Sequence, residues 1–138
     1  MGYDINLGFG EVKIPRANFQ KLTKAINKWR AKNRTGKRLD IDGTDGSLKK
    51  AFDEHACFDV EINKKGLTVE SFNADRYFDE MEEWTDLIAP FVTGGTIFGS
   101  GEDKGDEWEW VYESGQRIEF RPTILWENKM TYHIQGAN

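Results

Sequence analysis

The chain has 138 residues, 38% of them apolar and 13% aromatic, and a formal net charge of −5. That length suits a single domain with its own core, and the composition excludes a disordered polyelectrolyte. No run of 18 apolar residues and no basic-then-apolar leader occurs, so the expectation is a soluble, cytoplasmic protein without membrane association.

Cys57 is the single cysteine, which excludes an internal disulfide and suits a reducing compartment. With only His55 and His133 beside it, a structural zinc site lacks ligands, and no cofactor is expected. Charge is segregated. Between Val12 and Leu39 stand ten Lys or Arg and no acid, whereas the remaining residues carry 9 basic and 24 acidic side chains. Such asymmetry bears on electric fields and partners.

Tyr3, Ile5, Leu7 and Phe9 alternate, and Val12 and Ile14 continue in the opposite phase, predicting a strand with a bulge at Gly10-Glu11. Pro15 ends it. Phe19, Leu22, Ile26 and Trp29 recur at helical spacing to about Lys32, with Asn18 as candidate cap. After the break "NRTGKR" comes a polar loop, then a short amphipathic turn or helix with Ser47 as cap. "CFDVEIN" and "LTVESF" read as a hairpin through Lys64-Lys65-Gly66. Asn73 is placed as the cap of a second long helix bearing Tyr77, Met81, Trp84 and Ile88 and closed by Pro90. "TIFGSG", "EWEWVYE", "QRIEFRPTILW" and "KMTYHI" follow as strands. The fold class is therefore α+β, an antiparallel sheet of about five to seven strands with two main helices on one face.

The stretch Gly99–Gly115 (GSGEDKGDEWEWVYESG) combines glycines, acids and aromatics. Its glycines Gly99, Gly101 and Gly105 read as a tight turn. A phosphate-binding loop would need them at a strand-to-helix junction, and here a strand follows an acidic loop. Strand alternation turns Trp108, Trp110 and Tyr112 into the core and Glu107 and Glu109 to solvent. Carboxylate chemistry, with or without a divalent cation, would rest on Asp103 and Asp106. The loop Asp40–Gly46 falls short of an EF-hand: Asp40 and Asp42 suit positions one and three, but Thr44, Asp45 and Ala51 stand where an acid, a glycine and a glutamate are needed. Asp40, Asp42 and Asp45 remain a weak metal alternative. Lys21, Lys24, Lys28, Arg30 and Lys32 could meet phosphates, but the acidic remainder would repel a polyanion. Charge pairing within the chain, or between two copies in a homo-oligomer, is the plainer reading. Trp29 and Trp84 belong to the core. No GxSxG elbow exists, and neither histidine has a partner assignable from sequence.

The opening MGY, the element FGSGEDKGDEW (Phe98–Trp108) and the closing RPTILW (Arg121–Trp126) resemble a family of small proteins found in actinobacteria and in phages. Its members begin MGY, carry a phenylalanine and glycines leading into G-E-x-x-G-D-x-W, and end in an I-x-W strand. The likeness covers the first strand and the last part of the chain. It implies no activity and no catalytic residues. The phage setting implies a small protein that binds and blocks a host macromolecule. The leading expectation is accordingly a non-enzymatic inhibitor for a basic protein surface, such as the nucleic-acid channel of a defence nuclease or a transcription protein. The acids of the hairpin (Glu102, Asp103, Asp106, Glu107, Glu109) and of the helix segment DEMEEWTD (Asp79, Glu80, Glu82, Glu83) would supply the complementary field.

Overall fold

The chain is described by a computed structural model for residues 3–33, 39–103, 105–126 and 130–137, with side chains as far as Pro122. Its α+β class and antiparallel pairing are those expected from the sequence. Among the described residues, however, the strands divide between two sheets, and three α-helices accompany them. One sheet has the order β1-β5-β6-β7-β8, formed by β1 (Ile5–Gly10), β5 (Gly95–Gly101), β6 (Glu107–Glu113), β7 (Gln116–Trp126) and β8 (Met130–Ala137). The other has the order β2-β4-β3, formed by β2 (Lys13–Pro15), β3 (Phe58–Ile62) and β4 (Gly66–Phe72). The helices are α1 (Phe19–Asn33), α2 (Asp45–Ala56) and α3 (Asp79–Leu87).

The phase slip at Gly10-Glu11 is thus a change of sheet and not a bulge. Glu11 takes a left-handed conformation (φ 57°), an uncommon choice for a side-chain-bearing residue. It lets β1 pair with β5 while β2 pairs with β4. Val12 sits at the junction, fully buried, and its carbonyl accepts from the Val69 amide.

Three caps differ from the sequence reading. Asn18 lies in a short 3-10 turn, and its side-chain amide donates to the Phe91 carbonyl. Thr44 caps α2 by accepting from the Ser47 amide, so Ser47 lies inside the first turn. The segment read as a turn or helix is a 12-residue helix, ended by Cys57 in the left-handed conformation. Finally α3 starts at Asp79, five residues later than Asn73 as a cap implied. Residues 74–78 are held instead by the first strand: Tyr77 N donates to Tyr3 O, and Ile5 N to Asp75 O. Asn73 donates to Asp53 and Asp59.

The core joins all of these. Trp84 of α3 is fully buried, edge-on to Trp29 of α1 at 5.7 Å and to Phe52 of α2 at 5.1 Å, and stacked on His55 at 5.2 Å. Aromatic pairs of this kind add about 0.5–1.5 kcal/mol each beyond their burial. His55 is itself fully buried, with Nδ1 2.9 Å from Glu80 Oε2. An ionised carboxylate only accepts, so that nitrogen carries the proton.

Burial lowers the His55 pKa below its ordinary 6.5, although the Glu80 bond pulls the other way. The unfolded chain then binds the proton more readily than the folded one. The stability contributed by neutral His55 is complete above pH 6.5 and declines as acid carries the pH down through the folded value. Denaturant midpoints are expected to fall between about pH 7.5 and about pH 5.5. His55→Gln is expected to flatten that slope, and an unaltered slope would assign the acid sensitivity to other groups.

Candidate functional site: the two faces of the large sheet

Two local features decide what each face of the large sheet presents. The first is the alternation of β6, where Trp108, Trp110 and Tyr112 are buried and Glu107 is exposed, as the sequence implied. The second is the turn joining β6 to β7. Ser114 (φ 53°) and Gly115 (φ 77°) both have positive φ, as a two-residue type I′ hairpin requires. That turn sets Glu113 opposite Gln116 and Tyr112 opposite Arg117. Because side chains alternate with period two, the register sends Arg117, Glu119 and Arg121 inward onto the tryptophans. Ile118, Phe120 and Pro122 go outward.

On the inner face Arg117 lies over the Trp110 ring at 4.5 Å and Arg121 over Trp108 at 5.7 Å. Glu119 accepts from Trp110 Nε1 at 2.8 Å and from Arg121 Nε at 3.0 Å. Burial works against the Glu119 carboxylate, but those two bonds outweigh it and lower its pKa. Helix α3 covers part of this face. Tyr112 donates to the Thr85 carbonyl at 2.6 Å, and Arg117 reaches Thr85 Oγ1 at 3.2 Å and Glu82 at 3.5 Å. Beyond the end of α3 a cleft of 200 Å³ remains, between Tyr3, Tyr77, Glu82, Asp106 and the two tryptophans. Tyr77 donates to Glu82 at 2.6 Å, and Tyr3 to Asp106. Burial raises the Tyr77 pKa, as does the Glu82 bond, and the Asp106 bond raises that of Tyr3.

On the outer face the register aligns Gly8, Phe98, Glu109, Phe120 and Gly136 in one row. Ile97 and Gly99 face the core, so Phe98 between them must point out, and it is 53% exposed. An open groove of 680 Å³ runs over this row, with Asn6, Ser100, Glu107 and Pro122 at its sides. No side chain stands on Gly8 or approaches within 4 Å of the place one would occupy. The groove is therefore open at that end.

The nominated acids consequently separate. Glu107 and Glu109 stand on the outer face, and Glu102 and Asp103 at the exposed hairpin tip. Glu80, Glu82 and Asp106 are engaged within the fold, by His55, by Tyr77 and Arg117, and by Tyr3 and Arg121 respectively. Asp79 and Glu83 are exposed on α3, on the inner side of the sheet. One continuous acidic surface across hairpin and helix is not what the fold assembles. Asp103 and Asp106 adjoin through the backbone, Asp106 N donating to Asp103 O at 3.0 Å.

Of the metal-loop residues, Asp42 accepts from the Thr44 amide and hydroxyl, which lowers its pKa. Asp45 takes a two-pronged pairing from Arg16, both contacts 3.0 Å, which lowers its pKa, and Asp40 is exposed. Among the described residues no three His, Cys, Asp or Glu side chains converge as a metal site would need. Lys21, Lys24, Lys28 and Lys32 occupy the exposed face of α1, while Arg30 donates to the Leu39 carbonyl. Of the other basic residues in that segment, Lys13 pairs with Glu11 and Arg16 with Asp45, while Arg34, Lys37 and Arg38 lie outside the described residues, as do Lys104 and the side chains of Trp126 and His133.

The sequence reading passed over Tyr3, Tyr77, Phe98, Arg117, Glu119, Phe120 and Arg121. The signal was there in Arg117-x-Glu119-x-Arg121 alternating with Ile118 and Phe120, but only the turn geometry says which set faces the core. It also assigned Gly99 and Gly101 to the turn. Both lie in β5, where a Cβ on Gly99 would fall inside the Trp108 indole and one on Gly101 would strike Asp106 and the Tyr3 hydroxyl. Gly105, with φ 85°, is the turn glycine.

No known protein family, curated protein or solved structure matches this chain.

Gly99→Ala is expected to destabilise the protein by about 1–3 kcal/mol, the usual cost of overpacking a close-packed site. Gly8→Ala, at the open end of the groove, is expected to change stability by less than about 1 kcal/mol. Chemical denaturation monitored by tryptophan fluorescence compares the two.

Proposed function

We propose that this protein is a non-enzymatic binding protein that occupies, and thereby blocks, a basic surface on another protein. The observation that carries this reading is the outer groove, a row of Phe98 and Phe120 with glycine at each end, Glu109 between the rings and Glu107 at the side. A contiguous apolar patch rimmed by polar residues marks an interaction surface, whereas a single exposed side chain does not. Here Phe98, which is exposed, and Phe120, which is half-buried, lie in one row under one groove. Interfaces draw most of their energy from a few such residues at the centre, with charge at the rim guiding encounter.

The chemistry of the groove favours one kind of occupant. A second copy docking over the groove would bring a second pair of carboxylates, its own Glu107 and Glu109, to the same surface, an accumulation of like charge that opposes binding. A segment carrying an apolar side chain flanked by Lys or Arg satisfies both the rings and the acids. Glu102 and Asp103 at the hairpin tip extend the same field beyond the groove. In this reading, which takes up the resemblance to phage-borne proteins, the target is a host protein with a basic surface, such as one that holds nucleic acid.

The test is capture from a host-cell lysate by the wild-type protein, by Phe98→Asp and by Glu107→Lys/Glu109→Lys, each with and without nuclease. Support requires a protein retained by wild type in both halves, lost at least tenfold with Phe98→Asp, as for an interface centre worth about 2 kcal/mol or more, and weakened by the charge reversal. Retention undiminished by both variants overturns the reading, and loss with nuclease redirects it to the α1 lysines. Phe98 is exposed, so its replacement is expected to leave stability within about 0.5 kcal/mol.

A further inference from the structure

The cleft on the inner side of the sheet has a chemistry of its own. Its lining includes Tyr3, Tyr77, Trp108 and Trp110 and two carboxylates, Glu82 of α3 and Asp106 before β6. Aromatic faces attract cations through their quadrupole, and a carboxylate beside them strengthens the attraction. Each carboxylate has one oxygen held by a tyrosine. Their other oxygens meet arginines only at long range: Glu82 Oε2 is 3.5 Å from Arg117, and Asp106 Oδ1 is 3.7 Å from Arg121. Charge-assisted bonds in good geometry measure about 2.7–2.9 Å. Both carboxylates retain accepting capacity towards the cleft.

The two arginines are not equivalent. Arg117 is 14% exposed and lies close over Trp110, with Thr85 as a further acceptor. Arg121 is 52% exposed, and its approach to Trp108, 5.7 Å, is the looser of the two. Its one short contact is to Glu119. Arg121 is one residue of β7, whose backbone pairing does not involve this side chain, so the guanidinium is free to turn out into solvent. At 200 Å³ the cleft is several times the roughly 30 Å³ that one water occupies in the liquid. It is smaller than the roughly 300–1,000 Å³ of pockets for whole drug-sized ligands. A planar cation at the end of a chain fits that range, and a full cofactor does not.

We infer that this cleft is a binding site for a guanidinium group, with Trp108 as the stacking face and Asp106 as the carboxylate, and that Arg121 is the internal cation an incoming arginine side chain displaces. The preference for guanidinium over ammonium follows from the flat indole and the carboxylate edge, which match a planar fork better than a compact point charge. The site lies on the face opposite Phe98 and does not depend on the groove reading.

The probe is N-acetyl-arginine amide, titrated against the full chain and followed by tryptophan fluorescence and by amide NMR shifts. N-acetyl-lysine amide and N-acetyl-norleucine amide serve as comparisons. Arg121→Gln removes the internal competitor and is expected to bind the arginine probe at least about fivefold more tightly than wild type, the size of a modest cation–π and carboxylate contact. Adding Asp106→Asn to that variant is expected to abolish the gain. Glu82→Gln in the same background serves as a second carboxylate test should loss of the Tyr3 bond unfold the Asp106 variant. A gain below fivefold in Arg121→Gln, a gain surviving removal of the carboxylates in folded protein, or equal binding of the lysine or norleucine probe overturns the assignment.

Discussion

The structure depends on the packing of Trp84. This one indole touches a ring from α1 and two from α2 while sitting on α3, so the three helices share a single contact point. Neither α2 nor α3 is long enough to hold itself in water, since isolated helices shorter than about 12–15 residues are marginal. Their order comes from this cluster. Placing His55 within it, neutral and bonded to Glu80, adds a polar group that is satisfied only when α2 and α3 are docked. An acid on α3 that reads as surface charge is thereby part of the core's boundary.

Around that cluster, two of the three described non-glycine residues with positive φ direct the large sheet. Glu11 turns the chain from one sheet to the other, so that a single alternating run feeds two sheets. Ser114, together with Gly115, closes the β6–β7 hairpin in the one register that puts Arg117 and Arg121 over tryptophan rings. The inward charges are tolerable because each finds an aromatic face and a carboxylate. The outward phenylalanine is the corollary, because a strand cannot turn Glu119 inward without turning Phe120 outward. The inner cleft and the outer groove are two consequences of one register.

Net charge describes this surface poorly. Acids next to one another in the chain do different work: Asp106 receives a tyrosine inside the cleft while Glu107, the next residue, faces the opposite side. Similarly Glu82 and Glu80 close internal bonds while Glu83 remains in solvent. On α1 the lysines keep to the exposed side, with Phe19, Leu22 and Ile26 beneath them.

Periodicity in the chain was sufficient for the class, for most strands, for α1, and for the inward set Trp108, Trp110 and Tyr112, because each of those is a local preference for burying one face. The acidic character of the hairpin was legible for the same reason. Tertiary structure alone decided the rest. That α3 begins at Asp79 follows from the backbone bonds of Tyr77 to Tyr3 and of Ile5 to Asp75, residues distant in the chain. That Gly99 is a strand residue follows from the indole lying on it. That Phe98 and Phe120 share the outer face, and that Arg121 meets Asp106 across a cleft, follows from a pairing register whose energy resides in cross-strand contacts. No single segment contains those contacts, so no single segment could announce them.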